Sequence, residues 1–486
     1  MINLGTISNV IGVQLLVLGG FMLTALPFAM YYGNGDAWAI LYASLITLIT
    51  GGISWLYQFR SEEKVDKRQG YLIVVLGWLS MAGFTMLPYL FSGTFTCFSD
   101  AIFESISGLT TTGASVLNDI EAVPEGILFW RSLTQWIGGM GIIVLMVAIF
   151  PLLGIGGVEL FVAEAPGSSL EKIHPRIKEI ARRLWYIYSG LTLLLTIILW
   201  SLGMTFYEAI NHALTTMATG GFSTKNASMA HYGAAIQYVV LFFMFMAGIN
   251  YTVLYYGFIG KFNKVWRSDE FKTYLIIVGL LTAFVTTVVY YSTDYTLEQA
   301  FRDSAFQIVS VITTTGYVSA DYTAWHPMLT LLFFILLFMG ACAGSTSGGI
   351  KLIRHLVFFK NSFLEFKRLL HPKAIIRLKI DKQTVPSRVL THILVFLLLY
   401  MIIFVMGSLV MAVVLSDFEQ PLLSAIGAVA TSLGNVGPSI GNLGPVDNFA
   451  QVPAFGKVFL SFLMLLGRLE LFTLLIVFTP YYWRAN

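Results

Sequence analysis

The chain has 486 residues, of which 57% are hydrophobic and only 11% charged, with a formal net charge of +3. Windows of about 20 apolar residues, enough to cross a hydrocarbon core of about 30 Å, recur from end to end, which excludes a water-soluble domain and predicts an all-α polytopic membrane protein. So small a charge gives no footprint for nucleic acid, and the two distant cysteines, Cys97 and Cys342, support neither a disulfide framework nor a thiolate metal site and read as apolar filler.

Taken in chain order, ten hydrophobic segments are expected at roughly 7–32, 37–58, 71–91, 127–153, 184–204, 234–260, 273–292, 328–359, 389–415 and 453–480. The first has no basic residue ahead of it and no convincing cleavage signature, so it reads as a retained helix. Four of the gaps hold a half-length helical pattern, at 99–110, 207–218, 301–313 and 421–431. About 12 helical residues rise only about 18 Å, which reaches mid-membrane without crossing. Each pattern runs into a short polar loop: Thr111-Thr112-Gly113-Ala114, Thr219-Gly220-Gly221-Phe222, Thr314-Thr315-Gly316-Tyr317 and Ser432-Leu433-Gly434-Asn435.

The repeating unit is therefore span, half-helix, loop, span. Gly113, Gly220, Gly316 and Gly434 lie about a hundred residues apart, a repeat on the scale of a whole membrane module. Two full spans and one re-entrant segment return each copy to its starting side, so the repeats are parallel and a pseudo-fourfold assembly follows. The division expected is an N-terminal two-helix hairpin over 1–69 and four repeats over 70–160, 161–270, 271–385 and 386–486.

Of the 29 lysines and arginines, 23 fall in the connections 60–68, 172–183, 261–272 and 351–388, which the positive-inside tendency places in the cytoplasm. The opposite connections hold the half-helices and loops, with only Lys225 and Arg302 against thirteen acids, among them Asp100, Glu104, Asp119, Glu121, Glu125, Asp303, Asp321, Asp417, Glu419 and Asp447. Acid at an outer mouth raises the local concentration of cations, although outward loops of any membrane protein are poor in lysine and arginine. At the loops, glycine admits conformations that turn carbonyls inward, and the threonines add hydroxyls and stiff side chains. Half-helices descending from outside would aim their partially negative C-terminal ends at the axis. Each part favours a cation, and an ion pore is the leading reading.

Two further anomalies sit within spans. Gly340-Ala341-Cys342-Ala343-Gly344-Ser345-Thr346-Ser347-Gly348-Gly349 interrupts the eighth, which predicts either a mobile insertion with few packing anchors lining a cavity or a close helix-packing seam. Arg468 lies inside the last apolar run, where a guanidinium must face a cavity or a partner. Glu470, two residues on, points to another helix face. Arg131 and Lys457 lie near span ends and are expected to snorkel.

With these residues in view, the chain resembles the TrkH-type membrane subunits of the Trk/Ktr/HKT potassium-uptake superfamily, along its whole length. The N-terminal hairpin is what separates that type from the shorter Ktr-type members. The resemblance implies one filter glycine per repeat, here Gly113, Gly220, Gly316 and Gly434, with Thr111, Thr112, Thr219, Gly221, Thr314, Thr315, Leu433 and Asn435 completing the ion-binding loops. It further implies that 340–349 is an intramembrane gating loop, that Arg468 projects into the conduction path as a barrier, and that a homodimer docks on cytosolic nucleotide-binding regulators of the TrkA kind through the basic loops. The loops lack the longer Thr-Val-Gly-Tyr-Gly signature of potassium channels, and Leu433 stands where threonine precedes glycine elsewhere. Potassium and rubidium are therefore expected over sodium with less stringency than in a channel. The expected setting is the inner membrane of a bacterium, with the filter loops toward the periplasm.

Other chemistry is thinly represented. No phosphate-cradling Gly-Lys-Thr loop occurs, so nucleotide control needs a partner. The seven histidines show no metal-ligand spacing, and His212 is expected to pack behind the filter. No cofactor is expected other than K+ as cargo. An enzyme built around the elbow-like run at Cys342 would need a strand-to-helix turn and a base. A carrier coupled to H+ or Na+ stays open beside the pore.

Overall fold

The computed structural model describes residues 4–56, 66–144 and 170–484. The last third of the fourth expected span, 145–153, and most of the basic connection at 60–68 lie outside the described residues, and the basic connection at 172–183 is the first part of the helix Leu170–Ser201. Among those described, six helices are long and apolar enough to cross a membrane, or eight if each of two sharply bent helix pairs is one broken span. The only paired strands described, Lys379–Ile380 and Gln383–Thr384, form a small hairpin in the basic 371–386 connection; its turn residues Asp381 and Lys382 are both left-handed. The chain is an all-α polytopic membrane protein.

The N-terminal hairpin, Leu4–Leu23 with Leu26–Tyr32 against Ala37–Leu56, is built on small residues. A Cβ on Gly12 would lie 2.8 Å from the carbonyl oxygen of Gly51, and one on Gly51 would lie 2.9 Å from that of Gly12. Without a hydrophobic driving force in lipid, such close backbone approach is what holds two helices together. The hairpin seats on the following unit through Asp36, whose carboxylate accepts from the N–H of Ile127 at 3.1 Å.

All four half-helices form, as Phe98–Leu109, Phe206–Met217, Leu297–Ile312 and Pro421–Gly434. The third starts earlier than its apolar pattern, because Thr296 caps it by accepting from the N–H of Gln299. The second opens on a capping box between Thr205 and Glu208. The fourth carries Pro421 in its first turn, where the missing N–H costs nothing.

The second span of a unit is where sequence and structure part. The segments at 234–260 and 453–480 are not continuous helices: Ala234–Ala247 meets Tyr251–Phe258 at 108°, and Ala454–Arg468 meets Phe472–Phe478 at 109°. In the first, Gly248 ends the helix against Thr313, and Asn250 restarts it by accepting from the N–H of Thr252 at 2.7 Å. In the second, Glu470 and Leu471 are left-handed at φ 56° and 54°, which costs roughly 1–2 kcal/mol per non-glycine residue. That strain is held by complete burial of Leu471 and by an ion pair of Glu470 with Arg354 at 2.5 Å. The eighth segment divides as expected, into Pro327–Leu336 and Leu352–Leu370.

Glycines on the second spans let half-helix ends come close. A Cβ on Gly138 would overlap the carbonyl oxygen of Leu109, and one on Gly467 that of Leu433. Gly138→Ala is expected to lose about 1–3 kcal/mol through this overlap, read as a lower thermal midpoint in detergent. Gly279→Ala, at a helical glycine with open space around it, is the control that should lose nothing. Equal midpoints for the two would contradict the packing described.

Candidate functional site

Each half-helix ends in the same backbone figure. The second residue beyond each of the first three, and the first beyond the fourth, turns left-handed, at Thr111, Thr219, Thr314 and Asn435, with φ between 53° and 55°. The residue after that sends its N–H back into the helix: Thr112 to Ser107 O at 2.9 Å, Gly220 to Thr215 O at 2.9 Å, Thr315 to Ser310 O at 2.8 Å and Val436 to Thr431 O at 3.0 Å. A left-handed glycine follows in every case: Gly113 (φ 84°), Gly221 (φ 77°), Gly316 (φ 79°) and Gly437 (φ 104°).

This register differs from the expected one at two loops. Gly220 is the middle residue of the second figure, and Gly434 is still the last residue of its helix. Gly221 and Gly437 take the position held by Gly113 and Gly316. The fourth helix runs three residues beyond the expected 431, which carries Ser432, Leu433 and Gly434 into it and makes Asn435 the counterpart of the threonines. Asparagine tolerates the left-handed region, so Leu433 is no longer an anomalous filter position. The sequence signal was present in the second glycine of Gly434-Asn435-Val436-Gly437.

The four figures meet. A Cβ on Gly113 would overlap the carbonyl oxygen of Gly220, one on Gly221 that of Thr315, one on Gly316 that of Val436, and one on Gly437 would press on that of Thr112. Each glycine abuts the middle carbonyl of the next loop in chain order, and the fourth returns to the first. The loops therefore close a ring about one axis. Hydroxyls brace it from behind: Thr110 with Thr112 at 2.7 Å, Thr313 with Thr315 at 2.8 Å, Ser107 to Ala114 O at 2.5 Å and Ser310 to Tyr317 O at 2.7 Å. Gln135 holds the second loop, donating to Gly220 O at 2.6 Å and accepting from Phe222 N–H at 3.1 Å. Asn435 donates to Thr112 Oγ1 at 3.0 Å, tying the fourth loop to the first.

Arg131 and Lys457 do not snorkel. Arg131 is 2% exposed, donates from Nε to Glu104 at 2.6 Å and from Nη1 to Ser223 O at 3.2 Å, and lies 3.4 Å over the ring of Phe222. Glu104 also accepts from Ser115 Oγ at 3.0 Å and Val116 N–H at 2.9 Å, so one buried pair ties the first loop to the second. Lys457 pairs with Asp100 at 2.7 Å, and spans the first and fourth units. His212 is fully buried behind the second loop, with Nδ1 against Glu208 O at 2.8 Å and Nε2 against Ser223 Oγ at 3.0 Å.

The outer acids are fewer in effect than in number. Glu104 and Asp100 are spent on these pairs, Lys225 lies between Glu121 and Glu208 at 3.6 and 3.4 Å, and Arg302 reaches Glu298 at 3.0 Å and Asp303 at 3.9 Å. Asp119 keeps its charge to lower pH than usual, because the Asn226 amide donates to its carboxylate at 2.8 Å.

Beneath the ring, on the side away from the half-helix N-termini, runs the 340–349 segment. Thr346 accepts from Thr219 Oγ1 at 3.3 Å and donates to Met217 O at 3.1 Å, while Gly348 N–H donates to Thr314 Oγ1 at 2.6 Å. A Cβ on Gly348 would lie 2.6 Å from that of Asn435. Three of the four left-handed residues are thus covered. Arg468 donates from Nη1 to Thr346 O at 2.9 Å and from Nη2 to Gly138 O at 3.3 Å, which reaches the first unit as well. Its partners are backbone carbonyls rather than an acid, and Glu470 pairs with Arg354 instead. The segment is also better anchored than its composition suggests: Gly340 N–H meets Ile350 O at 2.6 Å, Cys342 N–H meets Gly248 O at 3.1 Å, and Tyr251 N–H meets Gly344 O at 3.1 Å. Lys351 donates to Ser347 O at 2.5 Å. Cys342 is buried, whereas Cys97 is exposed and fills no core.

Removing one partner of a buried ion pair strands the other, at a cost of about 3–5 kcal/mol. Arg131→Met should accordingly destabilise the protein severely in thermal denaturation, and Glu104→Gln added to it should recover part of the loss. Additive losses in the double variant would show that the pair does not act as a unit.

A sequence model of the family described as TrkH, cation transport protein, matches residues 37–484. The chain is 38% identical to the Trk system potassium uptake protein TrkH of Salmonella typhimurium over 98% of this chain and 99% of that one. It is 32% identical to the Trk system potassium uptake protein TrkG of Escherichia coli K12 over 96% and 95%. The crystal structure of the potassium transporter TrkH from Vibrio parahaemolyticus is similar at a TM-score of 0.90 and 36% identity, covering 99% of this chain and 100% of that one. Full-length similarity in sequence and fold makes this chain a member of the TrkH family of cation transport proteins.

Proposed function

We propose that this chain takes up potassium through a gated, cation-selective pore whose filter is the ring closed by Gly113, Gly221, Gly316 and Gly437. The observation that carries this reading is the cyclic contact of each glycine with the middle carbonyl of the next loop. Carbonyls fixed at that depth replace water around a dehydrated cation, and the half-helix C-termini add partial negative charge. A single short ring offers few coordination layers, so rubidium passes and sodium is excluded less strictly than by a longer filter. The relatives named as potassium uptake proteins point to the same ion.

In this reading 340–349 is the gate and Arg468 the barrier. The gate bears on the filter residues Thr219, Thr314 and Asn435, and Arg468 holds Thr346 in place. Basic connections face the cytoplasm and the ring faces the periplasm of a bacterial inner membrane. A homodimer and a TrkA-type nucleotide-binding regulator use the cytoplasmic side. The four pore units correspond to 70–160, 161–270, 271–385 and 386–486. Cys342 follows a helix and a loop in place of the strand that a nucleophile elbow requires, which speaks against an enzyme built around it and for transport.

Purified protein in planar bilayers under a K+/Na+ gradient tests the filter. Wild type should reverse near the potassium potential, and Gly316→Ser and Gly437→Ala should each lower the permeability ratio by about tenfold or more, the worth of one well-placed charge-assisted contact. Selectivity kept in Gly437→Ala would refute the ring. For the barrier, Arg468→Met should raise unitary or macroscopic flux with the reversal potential unmoved, and unchanged flux would remove Arg468 from the conduction path.

A further inference from the structure

Glu270, the second residue of the helix Asp269–Ser292, is 6% exposed, and neither the ring nor Arg468 accounts for its burial. A carboxylate so placed must be satisfied by donors nearby. One oxygen, Oε1, accepts from Ala343 N–H at 2.7 Å and also from Ile353 N–H at 3.1 Å. These two residues stand at opposite roots of the 340–349 segment. The roots are zipped to each other by Gly340 N–H to Ile350 O at 2.6 Å and Leu352 N–H to Ala341 O at 3.0 Å. On the first root, Asn250 Nδ2 donates to Ala343 O at 2.6 Å. Alongside lies a cavity of about 280 Å³ lined by Asn250, Glu270, Ala343 and Ile353 together with Lys264 and Arg267. Water in that cavity is able to take over the bonds to Glu270 when the roots part, so the clasp is breakable as well as strong.

We propose that Glu270 is a positioning residue that latches the gate: its single carboxylate oxygen fixes both roots of the 340–349 loop, so that the loop leaves the ring only when this bond pair is released. The proposal rests on the reading of that loop as the gate. Charge-assisted hydrogen bonds are about twice as strong as neutral ones, and a shared acceptor makes the two roots move together.

The two cysteines supply the test. In a Cys97→Ser background, Cys342 is the single thiol and is buried within the loop. Its rate of labelling by a charged methanethiosulfonate in proteoliposomes reports the loop's release, and rubidium flux reports the open fraction. Glu270→Leu should raise both by about tenfold or more, with unitary conductance and reversal potential unchanged. Glu270→Gln, whose neutral amide oxygen still accepts but without the charge assistance, and Glu270→Asp, one methylene short of both roots, should each fall between wild type and Glu270→Leu. A folded Glu270→Leu protein with wild-type labelling and flux overturns the latch. If Glu270→Leu does not fold, Glu270→Asp decides by the same two readouts. A chain lacking 345–347 separates the two readings: raised flux there, while Glu270→Leu in the chain with the loop intact changes neither readout, ends the latch and leaves the gate, whereas unchanged flux there ends the gate and the latch with it.

Discussion

A backbone that leaves the helix inside a membrane must find partners for its N–H and C=O groups, at several kcal/mol for each one left alone. Most of the structure follows from how this chain meets that demand at four places. Each loop returns one N–H to its own half-helix; threonine and serine hydroxyls brace the first and third loops, Gln135 the second, and the Thr431 hydroxyl the fourth by accepting from Gly437 N–H. What remains is a set of carbonyls that the left-handed glycines crowd together in cyclic order. The conformation that makes the ring is available to glycine at low cost and to few other residues. Two positions earlier threonine and asparagine bear the strain in its place.

The same demand explains the broken second spans. A straight helix would carry its ladder past the ring and leave no room for a loop beneath it. Bends at Gly248 and at Glu470-Leu471 open that room, and the 340–349 segment fills it while pairing its own backbone with Gly248, Tyr251 and Glu270. Among the described residues buried charge is paired or held by backbone groups, as Arg131 with Glu104, Arg354 with Glu470, Lys457 with Asp100, Arg468 on Thr346 O and Gly138 O, and Glu270 on the N–H groups of Ala343 and Ile353. These pairs join segments distant in sequence, which is why they hold the units to one another.

Hydropathy and repetition made the membrane class, the half-helices and the interruption at 340–349 legible before any coordinates. Local pattern also singled out Arg468, since a charge in an apolar run needs a cavity or a partner. It failed where the outcome depends on distant residues. Arg131 and Lys457 looked like interfacial side chains because their acids, Glu104 and Asp100, lie on other helices. The bends escaped notice because Ala234–Phe258 and Ala454–Phe478 each average apolar enough to read as one span, and hydropathy does not register a change of axis. At the fourth loop Gly434 matched the spacing of the repeat, yet the helix continues through it to Asn435, and the left-handed glycine is Gly437. Spacing locates a loop to within a few residues; the backbone angle decides which glycine serves it.

The central claim is that one ring, made by Gly113, Gly221, Gly316 and Gly437, holds the transported ion. Anomalous scattering from crystals of the protein grown with Rb+ in place of K+ tests it most directly. The account predicts a rubidium peak on the common axis, within coordination distance of the carbonyls of Thr112, Gly220, Thr315 and Val436. A rubidium site found elsewhere in the chain, with none on that axis, would contradict it.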